Sequence, residues 1–297
     1  MTASEPKKER VRLGNRRVTG KEQYYTPEDL ALRLTTEVVA LTGELRGRTI
    51  LEPAGGTGAC IKAATQLGAS NFVSFDIDPK YAGVRKGDFL AAKLRLPAGT
   101  IAIGNPPFGR NNSLSIPFFN KAAEQAEVIA FIVPRSWRKW SVLNRLDRRF
   151  ELVADHDIQI DYVDDAGRHI NKQLRLRTCF QIWRRLPEGQ LRALYRVADN
   201  DLIAKTTPSE ADIALRVFGF GCGRVLEDFE RRPNSTLMFL KLRHPQALEA
   251  LRTADFERFF RNTAYTEALS LPEINYLLNE AILGDPMLQT ETETSTE

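Results

Sequence analysis

The chain has 297 residues, of which 42% are hydrophobic and 27% are charged, and its formal net charge is +4. This length allows one large domain, or one domain with a smaller second one, and the hydrophobic fraction is sufficient for a substantial core. No apolar run approaches the roughly 18 residues of a membrane-spanning helix, so no membrane partner is expected. The cysteines Cys60, Cys179 and Cys222 are odd in number and lack metal-ligand spacing. We therefore expect a cytoplasmic protein without a metal site.

The two ends of the chain are biased in composition. Basic residues crowd the first 21 positions, and the chain ends in the acidic sequence TETETSTE. Such segments have little apolar surface to bury, so residues 1–20 and 284–297 are predicted to be disordered tails. The basic tail is either a solvated segment or an arm that contacts nucleic acid.

Between the tails, strand-like and helix-like segments alternate. Short apolar runs predict strands at residues 48–53, 71–78, 97–104, 127–134 and 177–185. Helix-like spacing is found at 59–68 and at 116–126. Continuous apolar strands separated by helices are typical of a parallel sheet that is covered on both faces. We therefore predict a doubly wound α/β domain over residues 21–190.

The pattern changes near the sequence RRLPEGQ at residues 184–190. Beyond it, residues 212–229 and 235–242 are predicted to form strands of a different unit, and residues 245–283 are predicted to be helical. We therefore predict a smaller C-terminal α+β unit over residues 191–283.

A glycine-rich turn follows the first predicted strand in the sequence LEPAGGTG. The strand ends in Glu52, and the turn contains Gly55, Gly56 and Gly58. Glycines at a strand-to-helix turn let the backbone approach a ligand closely, but this spacing matches neither a P-loop nor a dinucleotide-binding turn. An acidic residue before the turn suits a ligand with an ammonium group, such as the methionine part of S-adenosylmethionine. A purely structural tight turn is the alternative.

Further polar residues follow the next predicted strands. Asp76 ends the second strand, where a carboxylate can accept hydrogen bonds from ribose hydroxyls. Asp88 could accept from a nucleobase amine and Phe89 could cover the ring, although a surface Asp and a core Phe are an equally good interpretation. Asn105 follows the fourth strand. Together with Glu52, these polar groups are predicted to line one edge of the sheet.

Three motifs in this region resemble those of S-adenosylmethionine-dependent methyltransferases that methylate amino groups, and adenine-N6 methyltransferases in particular. They are YYTP at 24–27, EPAGGTG at 52–58 and NPPF at 105–108. The last matches the [DNS]-P-P-[YFW] tetrapeptide that marks the active site in that family. The resemblance spans about residues 20–186. At Gly55 many relatives have Cys or another larger residue, and Gly should be tolerated there.

The resemblance implies a Rossmann-like methyltransferase sheet, S-adenosyl-L-methionine as cofactor, and target recognition in the C-terminal unit. It implies catalytic roles for Asn105, Pro106, Pro107 and Phe108. It implies cofactor contacts from Tyr25, Thr26, Glu52, Ala54, Gly56, Gly58, Asp76, Ile77, Asp88, Phe89 and Asn105.

The NPPF segment suits the chemistry of an amino group. The exocyclic amine of adenine is a poor nucleophile because its lone pair is delocalised into the ring. The Asn105 side-chain oxygen and the Pro106 carbonyl could each accept a hydrogen bond from one of its two N–H groups, which would free that lone pair. The two prolines would keep the turn stiff. Phe108 would stack on a flipped base. A rigid loop with an incidental Asn is the alternative interpretation.

Thr26 has a second interpretation that needs no ligand. It can N-cap a helix that begins at Pro27, with Asp29 as the partner of a capping-box-like pair. This interpretation explains the Thr and the Pro of the YYTP motif and leaves its two tyrosines unexplained.

Basic and aromatic residues alternate in the segment 134–149, after the fifth predicted strand. This composition suits a phosphate backbone with exposed bases, although a solvated amphipathic helix with its tryptophans in the core would give the same pattern. The predicted nucleic-acid contacts are Arg135, Trp137, Arg138, Lys139 and Arg224. Arg224 lies in the sequence GFGCGRV, for which a plain hairpin is an equally good interpretation.

The sequence therefore predicts an enzyme that methylates the N6 amine of adenine in nucleic acid, with DNA favoured over RNA. One alternative is methylation of a glutamine side-chain amide in a protein, because the same tetrapeptide serves that substrate. Another is a nucleic-acid-binding scaffold with a degenerate site, but intact Glu52, Asp76, Asn105 and Phe108 argue against it.

Overall fold

The structure is a computed structural model that describes residues 25–169, 176–197, 201–286 and 288–291. Its main sheet has seven strands in the order β3-β2-β1-β4-β5-β7-β6. The strands are β1 (Thr49–Glu52), β2 (Asn71–Asp76), β3 (Arg85–Lys86), β4 (Ile101–Gly104), β5 (Val128–Pro134), β6 (Phe150–Ile158) and β7 (Thr178–Arg185). Strands β3, β2, β1, β4 and β5 run parallel to one another, and β7 is antiparallel to both β5 and β6.

Helices cover both faces of this sheet. They are α1 (Glu28–Thr42), α2 (Ala59–Gln66), α3 (Ser115–Ala123) and α4 (Trp140–Leu143). Successive side chains of a strand point to opposite faces. Accordingly, Ile50 packs in a buried cluster with α1 and α2, and its neighbour Leu51 packs in a second cluster with α3. The predicted doubly wound, Rossmann-like α/β sheet is confirmed.

The C-terminal part forms its own antiparallel sheet in the order β11-β10-β12-β9 with its own buried core. Its strands are β9 (Ile203–Lys205), β10 (Ile213–Arg216), β11 (Val225–Leu226) and β12 (Leu237–Leu242), and its helices are α5 (Ala247–Thr253), α6 (Glu257–Phe260) and α7 (Leu271–Leu278). This architecture has the α+β composition expected from the sequence.

Two short strands, β8 (Leu194–Val197) and β13 (Leu288–Glu291), pair in antiparallel fashion. The prediction of a disordered tail over 284–297 is therefore wrong for residues 288–291, because their backbone groups bond to β8. The predicted tail at 1–20 lies outside the described residues.

The C-terminal unit packs against the chain that follows β5. Lys139 forms an ion pair with Glu273 on α7, with 2.8 Å between Nζ and Oε1. The ring of Trp140 lies 5.5 Å from that of Phe259 and 5.4 Å from that of Tyr276. Because β4 and β5 are parallel, this contact lies at the same edge of the main sheet as the NPPF segment.

Within the described ranges, no helix is long and apolar enough to span a membrane.

Candidate active site

The carboxyl ends of four neighbouring strands place polar residues side by side. In the spatial order β3, β2, β1 and β4, these ends carry or precede Asp88, Asp76, Glu52 and Asn105. The topology thus gives the predicted line of polar groups along one edge of the sheet.

The glycine-rich turn is bound to the end of β2. The backbone N–H of Gly56 donates to Asp76 Oδ2 at 2.8 Å, and that of Asp78 donates to Asp76 Oδ1 at 2.9 Å. Gly56 has a φ of +47°, and a Cβ at this position would lie 2.6 Å from the Tyr25 ring. The position therefore requires glycine both for its left-handed backbone and for the closeness of the aromatic ring.

Glu52 is a buried carboxyl group at the base of this turn. Its exposed fraction is 3%, and burial raises its pKa from 4.5 to about 8. Hydrogen bonds from Cys60 and from the hydroxyl of Ser74 act in the opposite direction. Glu52 is thus mostly protonated at neutral pH, and a cationic group bound beside it would favour its ionised form.

The surroundings of Tyr25 are acidic. Burial, followed by the charge of Asp76, raises the pKa of the Tyr25 phenol to about 12. Asp165 and Asp78 contribute in the same direction. The phenol is therefore neutral, and the carboxylates give this end of the sheet a negative potential that suits a cationic ligand.

The amide of Asn105 is held by Thr26. Asn105 Nδ2 donates to Thr26 Oγ1 at 3.2 Å, and Thr26 is buried. This bond directs the amide nitrogen towards Thr26 and leaves the Oδ1 oxygen as the acceptor. The prediction that Thr26 N-caps the following helix is wrong. Helix α1 begins at Glu28, with Pro27 at the N-cap position and no side-chain capping bond.

The rest of the NPPF segment forms a rigid turn. Pro106 is buried, Pro107 is exposed, and half-buried Phe108 packs against the cluster that contains α1 and α2. Its carbonyl accepts from the backbone N–H groups of Leu114 and Ser115, each at 3.3 Å. These bonds and the fixed φ of the prolines limit the movement of the turn.

One cleft is shared by the three sequence motifs. It is lined by Tyr25, Thr26, Glu52, Ala54, Gly55, Gly56, Thr57, Ala59, Cys60 and Asn105. Six of these residues were predicted as cofactor contacts: Tyr25, Thr26, Glu52, Ala54, Gly56 and Asn105.

Other predicted cofactor residues lie around this cleft or away from it. Ile77 is 72% exposed next to Asp76, and Asp88 Oδ1 accepts from the N–H of Leu90 at 2.9 Å. Gly58 lies under the ring of Tyr81. Phe89 is only 1% exposed and packs against Phe75 and Phe118 in the core. The prediction that the Phe89 ring covers a ligand is therefore corrected, because the ring is enclosed by other aromatic rings.

Two of the predicted nucleic-acid contacts have structural roles. Trp137 has no exposed surface, and its indole N–H donates to Ser115 Oγ at 3.1 Å. Its assignment as a nucleic-acid contact is wrong, because its ring belongs to the core. Lys139 Nζ donates to both carboxylate oxygens of Glu273 and so binds the C-terminal unit.

The basic side chains of the same segment lie beside an acidic strand. Arg138 pairs with Asp155 and Asp157 on β6, at 2.6 and 2.8 Å, and Arg135 pairs with Asp157 at 2.7 Å. These carboxylates neutralise the charge on which the prediction depended. Arg224, in contrast, is exposed on the C-terminal unit.

Sequence reasoning did not select Cys60 and Tyr81. Cys60 bonds to Glu52 and lies in the first turn of α2, so its position two residues after the GTG sequence was a usable signal. Tyr81 lies against Gly58, and Lys62 Nζ lies 5.2 Å from the centre of the Tyr81 ring. No motif marks Tyr81, because it reaches the turn through the fold of the segment after β2.

Comparison with known proteins finds similarities only among solved structures. No family model and no curated protein matches the chain. A provisionally assigned RNA methyltransferase from Pyrococcus horikoshii is 22% identical with a TM-score of 0.45, over 56% of this chain and 87% of that one. The 23S rRNA methyltransferase ErmE is 15% identical with a TM-score of 0.37, over 56% of this chain and 71% of that one.

A modification subunit of a provisionally assigned type I restriction enzyme from Vibrio vulnificus is 14% identical with a TM-score of 0.41. The similarity covers 59% of this chain and half of that subunit's length. At TM-scores below 0.5, these similarities assign no activity to the chain, so its function is inferred from the site itself.

Proposed function

We propose that the protein transfers a methyl group from S-adenosyl-L-methionine to the exocyclic N6 amine of adenine in nucleic acid. The observation that carries this proposal is the cleft that Tyr25, Glu52, Gly56 and Asn105 share. Residues of the YYTP, EPAGGTG and NPPF motifs are far apart in the chain and meet at one edge of the sheet. A merely structural turn would not require all three in one place.

The residues of the cleft fit S-adenosylmethionine, which has an ammonium and a sulfonium group. Gly56 offers a surface without a side chain, and buried Glu52 offers a carboxyl group whose ionised form a cation would stabilise. Asp76 lies at the end of β2, where it can accept from ribose hydroxyls, and exposed Ile77 can cover a ring. The cofactor would supply a methyl group bound to a sulfonium sulfur, and the neutral thioether that remains after transfer would be the leaving group.

The NPPF turn would bind and activate the target amine. Asn105 Oδ1 and the carbonyl of Pro106 would each accept one N–H of the target amine, which makes the nitrogen lone pair available. Thr26 fixes the direction of the Asn105 amide, and the prolines hold both acceptors in place. Phe108 would stack on the flipped base with its accessible face.

DNA is the substrate that we favour. The C-terminal unit packs at the edge of the sheet that carries Asn105, so it can form a second wall for a duplex. RNA is the second candidate, because an unpaired adenine can enter such a site without being flipped out of a helix.

The test compares wild-type protein with Asn105→Ala in single-turnover methyl transfer to an adenine-containing DNA duplex, and to RNA of the same sequence. We expect Asn105→Ala to lower the rate about 10²–10³-fold, the loss typical of a removed transition-state hydrogen bond. Calorimetry should show that S-adenosylmethionine still binds to the variant. An unchanged single-turnover rate would exclude the proposed role of Asn105.

A further inference from the structure

The connection between β10 and β11 holds an aromatic side chain out in solvent. Phe220 is 99% exposed, and the neighbouring Phe218 is 47% exposed. Gly219 and Gly221, on either side of Phe220, have φ values of +83° and +77°. These left-handed conformations favour glycine, so the backbone of the hairpin is built to hold the ring at its tip. Exposed aromatic rings are the side chains on which the bases of a nucleic acid stack.

This hairpin lies beside the active edge of the main sheet. The N–H of Gly219 donates to the carbonyl of Glu267 at 2.9 Å, which joins the hairpin to the segment after α6. The same segment contacts the main sheet, because the N–H of Arg177 donates to the carbonyl of Ala264 at 2.8 Å. Arg177 directly precedes β7, which begins opposite the carboxyl end of β5. The hairpin is therefore attached at the edge of the sheet that carries Asn105.

The hairpin also carries positive charge. Arg216 and Arg224 are joined across it, since the N–H of Arg216 donates to the carbonyl of Arg224 at 2.9 Å. Within the described part of the chain, neither guanidinium forms an ion pair. The carboxylate of Glu267 lies near the hairpin and is engaged by Arg177 at 3.4 Å. The surface thus combines exposed aromatic rings with two available cations.

We propose that Phe220 stacks on the bases of the nucleic acid beside the target adenine, while Arg216 and Arg224 contact phosphates. This inference rests on the proposed function, because it takes nucleic acid as the substrate. Stacking on an aromatic ring tolerates any base, and a ring inserted beside the target would stabilise the gap that a flipped base leaves. Phosphates complement the two guanidinium groups.

The experiment measures binding of the full chain to a labelled, adenine-containing DNA duplex over a series of salt concentrations. We expect Phe220→Ala to weaken binding roughly five- to hundred-fold, the range that base stacking on a protein ring provides. The slope of the logarithm of its binding constant against the logarithm of the salt concentration should equal that of the wild type, since no phosphate contact is lost. Arg224→Ala should instead reduce the slope by about one. Phe220→Trp should bind like the wild type, and its additional indole fluorescence should be quenched by the duplex.

Leu41→Ala is the matched control, because Leu41 is 51% exposed at the far end of α1. Wild-type affinity in Phe220→Ala would overturn the inference, as would a change in self-association in place of DNA binding. If Asn105→Ala abolishes methylation while Phe220→Ala binds normally, the inference alone fails. A wild-type protein that neither binds nor methylates nucleic acid would overturn the inference and the proposed function together.

Discussion

At the scale of single residues, the site depends on one bond between distant motifs. Thr26 and Asn105 are 79 positions apart, and the Thr26 hydroxyl accepts the Asn105 amide N–H. The sequence predicted that both residues belong to the site. It gave Thr26 the wrong local role, because capping is the local use of a threonine before Pro, and the pairing with Asn105 exists only in the folded sheet.

Thr26→Val should lower the rate of methyl transfer by about fivefold, because one positioning hydrogen bond contributes about 1 kcal/mol. The affinity for S-adenosylmethionine should change little, and Thr26→Ser should retain most of the rate. Single-turnover kinetics with the three proteins measures this effect. Equal rates for Thr26→Val and Thr26→Ser would show that the hydroxyl does not hold Asn105.

The raised pKa of Glu52 makes stability depend on pH. Its pKa is about 8 in the folded protein and 4.5 for an ordinary Glu, so the folded state holds the proton more tightly. The resulting stabilisation is fully present below pH 4.5 and is lost as pH rises through 8.

Glu52→Gln has no proton to lose, so its free energy of unfolding should lack this dependence. As the pH rises from about 5 to about 9, the free energy of unfolding of the wild type should therefore fall relative to that of Glu52→Gln. Urea denaturation at several pH values measures it. A difference that stays constant over this range would contradict the burial of an ionisable Glu52.

At the scale of elements, the glycine-rich turn owes its shape to its neighbours. Its sequence predicted a close backbone approach to a ligand, and in the structure the turn lies against the side chains of Asp76 and Tyr25. At Gly55 a Cβ would collide with the side chains of Ser74 and Val84. Many members of the family that the motifs resemble have a larger residue here, and the sequence alone could not show that this chain has no room for a side chain at Gly55.

Gly56→Ala tests the turn, with Gly68→Ala as its matched control. Both glycines have left-handed backbones, but a Cβ at Gly68 would meet nothing within 4 Å, whereas one at Gly56 would meet the Tyr25 ring. Each variant should lose about 1–2 kcal/mol of stability from the left-handed conformation, and Gly56→Ala should lose more because its Cβ would collide with the Tyr25 ring. Only Gly56→Ala should also lose cofactor affinity, by about tenfold or 1.4 kcal/mol. Calorimetric titrations that give equal affinities for both variants would contradict the location of the cofactor site.

Strand β6 is an element that the sequence did not predict. Only its first and last residues are buried, and acidic side chains lie among the residues between them, so it lacked the continuous apolar run that indicated β1, β2, β4, β5 and β7. The missed strand carries Asp155 and Asp157, which pair with Arg135 and Arg138. The basic segment therefore looked available for nucleic acid because its partners were not recognised.

At the scale of the whole molecule, the Lys139–Glu273 ion pair is one of the contacts that join the C-terminal unit to the main sheet. Glu273 is 3% exposed and accepts from Lys139 as well as from Ser270. Lys139→Met would leave this carboxylate buried without its cation, which should cost about 3 kcal/mol of stability. Lys139→Arg, which keeps the charge, should cost less. Denaturant unfolding of the two variants measures the difference, and equal stabilities would show that the pair does not hold the unit.

We propose that the cleft at Asn105 methylates the N6 amine of adenine in nucleic acid. The most direct measurement is mass spectrometry of nucleosides and of protein digests after incubation with methyl-labelled S-adenosylmethionine, duplex DNA, RNA and candidate proteins. We expect labelled N6-methyladenine in DNA with the wild type and almost none with Asn105→Ala. Label in RNA alone would replace DNA as the substrate and leave the chemistry unchanged. Label on glutamine side chains, or an undiminished yield from Asn105→Ala, would contradict the claim.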